Sequence, residues 1–103
     1  MELIIHTEVD AFVATLEKPT RSKWTRHLLL LEQYGKALGM PHARKITSTL
    51  SELRIRGTQE VRALYAFEQG RICILHAFLK KTQKIPAREI ATAEKRRQAL
   101  TMT

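Results

Sequence analysis

The chain has 103 residues, of which 44% are hydrophobic and 27% charged, and a formal net charge of +8 with a pI of about 10.2. This length and composition predict a single globular domain spanning residues 1–103. No apolar run approaches the roughly 20 residues that cross a bilayer, and the N-terminus lacks the basic start of a signal peptide. The single cysteine, Cys73, cannot form an internal disulfide. We therefore expect a cytoplasmic protein without a membrane segment.

The positive charge is unevenly distributed along the chain. Residues 1–34 carry a net charge of −1, whereas residues 35–103 carry +9. This asymmetry indicates a polyanionic partner that meets the C-terminal two-thirds of the chain. Charge alone does not distinguish RNA, DNA and an acidic protein, and a basic surface without a partner is the alternative.

The first part of the chain predicts one short strand and two helices. ELII at residues 2–5 is β-like, and Thr7 with an acid three residues later predicts a helix N-cap at Thr7. Apolar residues at helical spacing carry this helix towards Pro19. A second helix is predicted at residues 20–38, with Gly39 as its C-terminal stop.

From residue 50 onwards the apolar pattern changes from helical to alternating. Three strands are predicted in LRIR, VRALYAF and RICILHAFL, with turns at Gly57-Thr58-Gln59 and at Gln69-Gly70. The third strand is apolar on both faces, as expected of a central strand. Pro86 opens a C-terminal helix. The fold class is therefore α+β, in the order β-α-α-β-β-β-α, with two N-terminal helices on one face of an antiparallel sheet and a C-terminal helix.

The turn between the first two of these strands decides whether Arg54 and Arg62 share a face. A two-residue turn would pair Arg54 with Ala63, whereas a longer connection or a bulge at Gly57 would place the two arginines together. The second arrangement also buries the apolar residues of both strands on one face, so we predict it.

Two lysines end the third strand. Strict alternation places Lys81 on the face of Arg62 and Lys80 on the opposite face, unless the strand bends before them. The sequence does not decide between them. Glu52 lies on the face of Arg54 and is expected to orient a neighbouring cation.

A site rich in Arg and Lys but poor in carboxylates restricts the possible chemistry. The sequence shows no paired acids for a metal site, no Gly-rich nucleotide loop and no Ser-His-Asp arrangement. RNA cleavage by the substrate's own 2′-OH fits such a site, because it needs only cations to stabilise the phosphorane-like transition state and a group that exchanges protons. We expect no metal and no cofactor.

Residues 50–97 resemble the HigB-like, phage-derived branch of the RelE toxin superfamily. The shared pattern is E-L-R at residues 52–54, R-x-L-Y at 62–65, F-x-K-K-T-x-K-x-P at 78–86, and a helix that opens with E-I-x-x-A at 89–93. The resemblance implies a toxin of a type II toxin–antitoxin system, an endoribonuclease that cuts mRNA in the ribosomal A site. It also implies inhibition by a helix-turn-helix antitoxin, and we expect the free toxin to be monomeric.

Carried onto this chain, the resemblance points to Arg54, Arg62, Lys80 and Lys81 as catalytic residues. The residues expected to bind RNA are Arg44, Lys45, Arg56, Tyr65 and Lys84. The chain departs from the family pattern in Thr49-Leu50-Ser51, before E-L-R, and in lacking a tyrosine or histidine after the lysine pair. The rival hypotheses are a non-catalytic basic nucleic-acid-binding module and an inactive relative that binds only an antitoxin.

Overall fold

The structure is a computed structural model that describes residues 1–101. Its elements are, in chain order, β1 (Glu2–Ile5), α1 (Thr7–Val13), α2 (Lys18–Tyr34), a 3₁₀ turn (Gly35–Ala37), β2 (Ala43–Lys45), β3 (Ser51–Ile55), β4 (Val61–Glu68), β5 (Arg71–Leu79) and α3 (Ala87–Thr101). The predicted α+β class and element order are confirmed, with β2 as an additional strand. Within the described range, no helix is both long and apolar enough to cross a membrane.

The strands form one sheet in the order β1-β5-β4-β3-β2. Strands β2 to β5 are antiparallel neighbours, whereas β1 pairs in parallel with β5, with Ile5 opposite Ile74. The sheet is therefore mixed rather than purely antiparallel. A parallel neighbour needs a long crossover connection instead of a hairpin, and the four residues of β1, ELII, carry no signal of so distant a pairing.

Helices cover both faces of the sheet. Helices α1 and α2 pack on one face, as predicted, where Trp24 and Leu31 meet the inward side chains of β3, β4 and β5. Helix α3 packs on the opposite face, where Ala93 meets Leu64 and Leu75. Strand β5 lies between β1 and β4 and is buried on both faces, which confirms its predicted interior position.

The helix ends differ from the sequence-based boundaries, and α1, predicted to continue towards Pro19, already ends at Val13. The N-cap of α1 is His6 rather than Thr7, because the His6 Nδ1 atom accepts a hydrogen bond of 3.1 Å from the Glu8 amide. Helix α2 begins at Lys18, with Pro19 in its first turn, where a proline is tolerated. It ends at Tyr34 because Gly35 has a φ of 53°, a left-handed value that glycine adopts readily.

The turn between β4 and β5 matches its prediction. Gln69 and Gly70 both have positive φ values, of 53° and 73°, as a type I′ hairpin requires. This tight turn brings the two longest strands into register and so fixes the central part of the sheet.

Candidate functional site

Three arginines on three adjacent strands surround one buried carboxylate. Arg54 of β3 lies directly opposite Arg62 of β4, which confirms the predicted register. Arg44 of β2 lies opposite Glu52. The Nε atoms of Arg44, Arg54 and Arg62 lie 2.7, 3.7 and 3.8 Å, respectively, from the nearer carboxylate oxygen of Glu52. We refer to these four residues as the arginine cluster.

The arginine cluster is buried at Glu52 and Arg62, whereas the Arg44 side chain is 48% exposed, and the polar atoms of the cluster are not fully satisfied. The side chain of Glu52 is 0% exposed and that of Arg62 is 2% exposed, and buried charges are stable only when they are paired. Within residues 1–101, Glu52 Oε2, Arg54 Nε and Arg62 Nε have no hydrogen-bond partner. One carboxylate balances only one of three guanidinium charges, so the cluster retains positive charge and unused hydrogen-bonding capacity.

Arg62 is held from two further directions. One of its terminal nitrogens donates a hydrogen bond of 3.0 Å to the carbonyl of Val61, and the other donates to the Glu60 carboxylate at 3.2 Å. Glu60 also accepts a hydrogen bond from the amide of Gly57. This bond is the first cause of the lowered pKa of Glu60, and the contact with Arg62 adds to it. Arg62 is thus fixed in position, with little of its surface open to solvent.

A β-bulge in β5 decides which lysine meets the arginines. Leu64 pairs with His76 and Tyr65 pairs with Ile74, so Leu75 is an extra residue in β5. A single extra residue reverses the alternation of all side chains beyond it. Arg62 is consequently paired with Phe78.

Lys80 therefore lies on the face of Arg62, two residues beyond Phe78. Its amide donates a hydrogen bond of 2.7 Å to the carbonyl of Glu60, which continues the pairing of the two strands. The placement from strict alternation, with Lys81 on this face and Lys80 opposite, is wrong because of the bulge. Burial and the positive charge of Arg62 lower the pKa of the Lys80 ammonium.

The arginine cluster opens into a cleft of about 650 Å³. The cleft is lined by Arg54, Arg56, Glu60, Arg62, Lys80, Lys81, Thr82 and Gln83. Two of the predicted residues, Arg56 and Lys81, are exposed at its rim. Among residues 1–101, no three His, Cys, Asp or Glu side chains are grouped so as to hold a metal ion.

Four other residues predicted to bind RNA, Arg44, Lys45, Tyr65 and Lys84, do not line this cleft. Lys84 is exposed in the loop before α3, where its carbonyl accepts a hydrogen bond from the Thr82 hydroxyl. Lys45 and Tyr65 line a second pocket, of about 670 Å³. Tyr65 is 2% exposed and belongs to the core on the α1 and α2 side, where burial raises the pKa of its hydroxyl.

Arg44 lies between the cleft and the second pocket. It lines the second pocket, and its Nε donates to Glu52 of the arginine cluster. The second pocket also holds the Phe67 ring, with the Lys36 ammonium 5.4 Å from its centroid. A positively charged surface thus continues around the β2 edge from the cleft to this pocket.

Two contributors to the site lay outside the sequence-based prediction. Glu60, in the connection between the arginine-bearing strands, orients Arg62. An acid between two such strands is a usable sequence signal, although a weak one. Arg96 of α3 donates a hydrogen bond of 2.9 Å to the carbonyl of Leu75, the bulge residue. Arg96 and Leu75 are too far apart in the chain for a local sequence pattern to predict their contact.

The fold and the cleft define a small α+β protein that carries a fixed cluster of cations on a mixed sheet. The chain belongs to the family of phage-derived Gp49-like proteins (DUF891), whose model matches residues 11–98. This family is of the toxin-like, RelE-related type. No curated protein matches the chain.

Proposed function

We propose that this protein is the toxin of a type II toxin–antitoxin system and acts as a ribosome-dependent endoribonuclease on mRNA. The observation that carries the proposal is the convergence of Arg54, Arg62 and Lys80, from three adjacent strands, at one open cleft. Membership of the phage-derived Gp49-like family supports the toxin class. The resemblance of residues 50–97 to the HigB-like branch supports the finer assignment.

The proposed reaction needs cations, a proton donor and a proton acceptor, of which the cleft supplies the first two and solvent water is the proposed acceptor. The 2′-oxygen of a ribose gives its proton to water and bonds to the adjacent phosphorus, while the bond from phosphorus to the 5′-oxygen breaks and the 5′-oxygen takes up a proton. The extra negative charge on the phosphoryl oxygens is stabilised by the guanidinium groups, of which Arg54 is the more accessible. The products are a 2′,3′-cyclic phosphate and a 5′-hydroxyl.

Lys80 is the proposed proton donor to the departing 5′-oxygen. Because its pKa is lowered by burial and by Arg62, it is a stronger acid than an ordinary lysine and releases its proton more readily near neutral pH. Arg56 and Lys81, at the rim, are proposed to bind the phosphates on either side of the scissile one. Arg44 and Lys45 would continue this contact around the β2 edge.

The HigB-like resemblance also supports a role for the ribosome and for an antitoxin. We propose that the A site of the ribosome holds the message in a fixed position against the cleft. The toxin then does not have to order a flexible RNA by its own contacts. We further propose that the free toxin is monomeric, acts in the cytoplasm and is inhibited by a helix-turn-helix antitoxin.

A second candidate function is supported by the burial of Arg62. Its side chain is 2% exposed, and both terminal nitrogens already have protein acceptors. A purely structural role for Arg62 would fit a non-catalytic module that binds nucleic acid through the rim, or an inactive toxin relative that retains only antitoxin binding. In either case, binding would depend on salt rather than on any one residue of the cluster.

The deciding experiment maps cleavage sites on a defined mRNA in a reconstituted bacterial translation mixture, with and without ribosomes. We expect codon-phased cuts by the wild type only when ribosomes are present. Lys80→Met should lose on the order of 10²-fold in cleavage rate. Lys18→Met, which removes an exposed lysine at the start of α2, is the matched control. Equal cleavage rates for Lys80→Met and the control would show that Lys80 takes no part in the reaction. No cleavage by the wild type would favour the hypothesis of a non-catalytic binding module.

A further inference from the structure

Two polar side chains of α3 form hydrogen bonds with the residues of the bulge in β5. Arg96 donates a hydrogen bond of 2.9 Å to the carbonyl of Leu75, the extra residue. The same nitrogen of Arg96 lies 3.4 Å from Nδ1 of His76, and Nε2 of His76 lies 3.0 Å from the Glu89 carboxylate. Because an arginine can only donate, Nδ1 of His76 accepts and Nε2 carries the proton that it shares with Glu89.

Polar side chains of α3 therefore contact both Leu75 and His76 at the bulge. These contacts fix the strand register, which apolar packing alone does not. Leu75 packs in the same apolar cluster as Ala93 of α3, but a leucine packs acceptably in more than one strand register. A hydrogen bond to a carbonyl requires that this carbonyl be at one place. The two polar contacts thus select the bulged pairing over the regular one.

The alternative pairing would change what faces Arg62. Upstream of the bulge, Tyr65 pairs with Ile74. If the strands continued without an extra residue, Leu75 would pair with Leu64 and Ala77 with Arg62. Leu79 would then occupy the place that Lys80 holds now, and Lys80 would lie on the opposite face.

We propose that Arg96, supported by Glu89, is a positioning residue that fixes the bulge at Leu75 and thereby places Lys80 beside Arg62. Its effect on strand register stands on the geometry alone, whereas its consequence for cleavage rests on the function proposed above. Helix α3 is thus part of the site although, within the described residues, none of its side chains lines the cleft.

The test measures lysine titration and strand pairing directly, by NMR on protein with labelled lysine. The Lys80 signal is assigned with Lys80→Arg, and its pKa is compared in the wild type, Arg96→Met and Arg96→Lys. Arg96→Met keeps most of the stem but removes the donor, so we expect the pKa of Lys80 to rise towards its ordinary value of 10.5. Backbone NOEs should then link Arg62 to Ala77 instead of Phe78.

Arg96→Lys retains one donor for the Leu75 carbonyl and should keep the wild-type pairing. Lys95→Met, which removes the neighbouring exposed charge of α3, controls for the loss of a cation from this helix. A folded Arg96→Met with the wild-type Lys80 pKa and with Arg62 still opposite Phe78 would overturn the proposal. If Arg96→Met does not fold, Glu89→Gln is judged by the same two readouts, with a smaller rise in pKa expected.

Cleavage assays separate this proposal from the proposed function. In the ribosome-containing mixture, Arg96→Met should lose most of the activity that Lys80→Met loses, and Arg96→Lys should recover it. If the wild type cuts no RNA, the NMR result still decides the role of Arg96. If the register changes in Arg96→Met while cleavage is retained, Lys80 is not the group through which the bulge affects the reaction, and that part of the proposal fails.

Discussion

Arg54 and Arg62 lie directly opposite each other on β3 and β4, and both reach the same buried carboxylate, that of Glu52. Two like charges facing each other across a strand pair are normally destabilising. Here the carboxylate of Glu52, near the Nε atoms of both arginines, offsets the repulsion. The carboxylate of Glu60 does the same at a terminal nitrogen of Arg62. The stability of the sheet at this point therefore depends on two acids, of which the sequence pattern indicated only Glu52.

Replacing Glu52 should reveal this dependence. Glu52→Gln preserves the size of the side chain but leaves three guanidinium groups without their central counter-charge. We expect the free energy of unfolding to fall by about 3–5 kcal/mol, as measured by urea denaturation. Glu32→Gln, at an exposed position of α2, should change it by less than about 0.5 kcal/mol. Similar effects of the two substitutions would mean that solvent, rather than Glu52, screens the arginines.

The two central arginines should differ in their effects on stability. Arg62→Met leaves Glu52 and Glu60 without their buried partner, so a loss of about 3–5 kcal/mol is expected. Arg54→Met should cost less, since the Arg54 side chain is 15% exposed and lies 3.7 Å from Glu52. Thermal unfolding followed by circular dichroism measures both. A larger loss for Arg54→Met than for Arg62→Met would contradict this ranking.

Stability should decrease in acid partly through Glu60. Its folded pKa is lowered from 4.5, first by the hydrogen bond from the Gly57 amide. A carboxyl of this kind stabilises the folded state above its unfolded pKa, and the contribution is lost as the pH falls through the folded pKa. Below pH 4.5, Glu60→Gln should therefore show a shallower decline in unfolding free energy than the wild type. If the unfolding free energies of the two proteins decrease equally with falling pH, Glu60 does not contribute to the loss of stability in acid.

Binding of single-stranded RNA should weaken steeply with salt. A 2′-O-methylated oligonucleotide blocks cleavage and allows titration by fluorescence anisotropy. If each of the four accessible cations of the cleft meets one phosphate, log K should fall against log salt with a slope of about −3. Arg56→Ala removes one exposed contact and should make the slope shallower by about 0.7. A slope near zero would argue against a phosphate-binding cleft.

The pairing of the arginines could be predicted because alternation is strict in β3 and β4. Burying Leu53, Ile55, Val61 and Ala63 on one face excludes the pairing of Arg54 with Ala63 and favours the observed register, in which Arg54 lies opposite Arg62. The same reasoning failed one strand later. The bulge at Leu75 lies in a largely apolar run without a turn residue, so nothing in the pattern marks it, and strict alternation places Lys80 on the wrong face.

Other differences have similarly local causes. The strand β2 is three residues long, too short for alternation to be visible. Helix α2 ends at Tyr34 instead of residue 38 because the positive φ of Gly35 ends the α-helical turn. The contacts of α3 with the bulge join side chains about 20 positions apart in the chain, and such pairs are fixed by packing rather than by sequence pattern.

The buried carboxylate of Glu52 has one more consequence. Because the acid already neutralises part of the charge of Arg44, Arg54 and Arg62, these guanidinium groups are held together in the folded protein before any phosphate arrives. A bound anion then meets donors that do not have to be gathered from solvent, which is the condition for preorganised electrostatic stabilisation. The free energy needed to bring these like charges together is therefore spent during folding, where it lowers the stability of the protein without a bound anion, and not at the moment an anion binds.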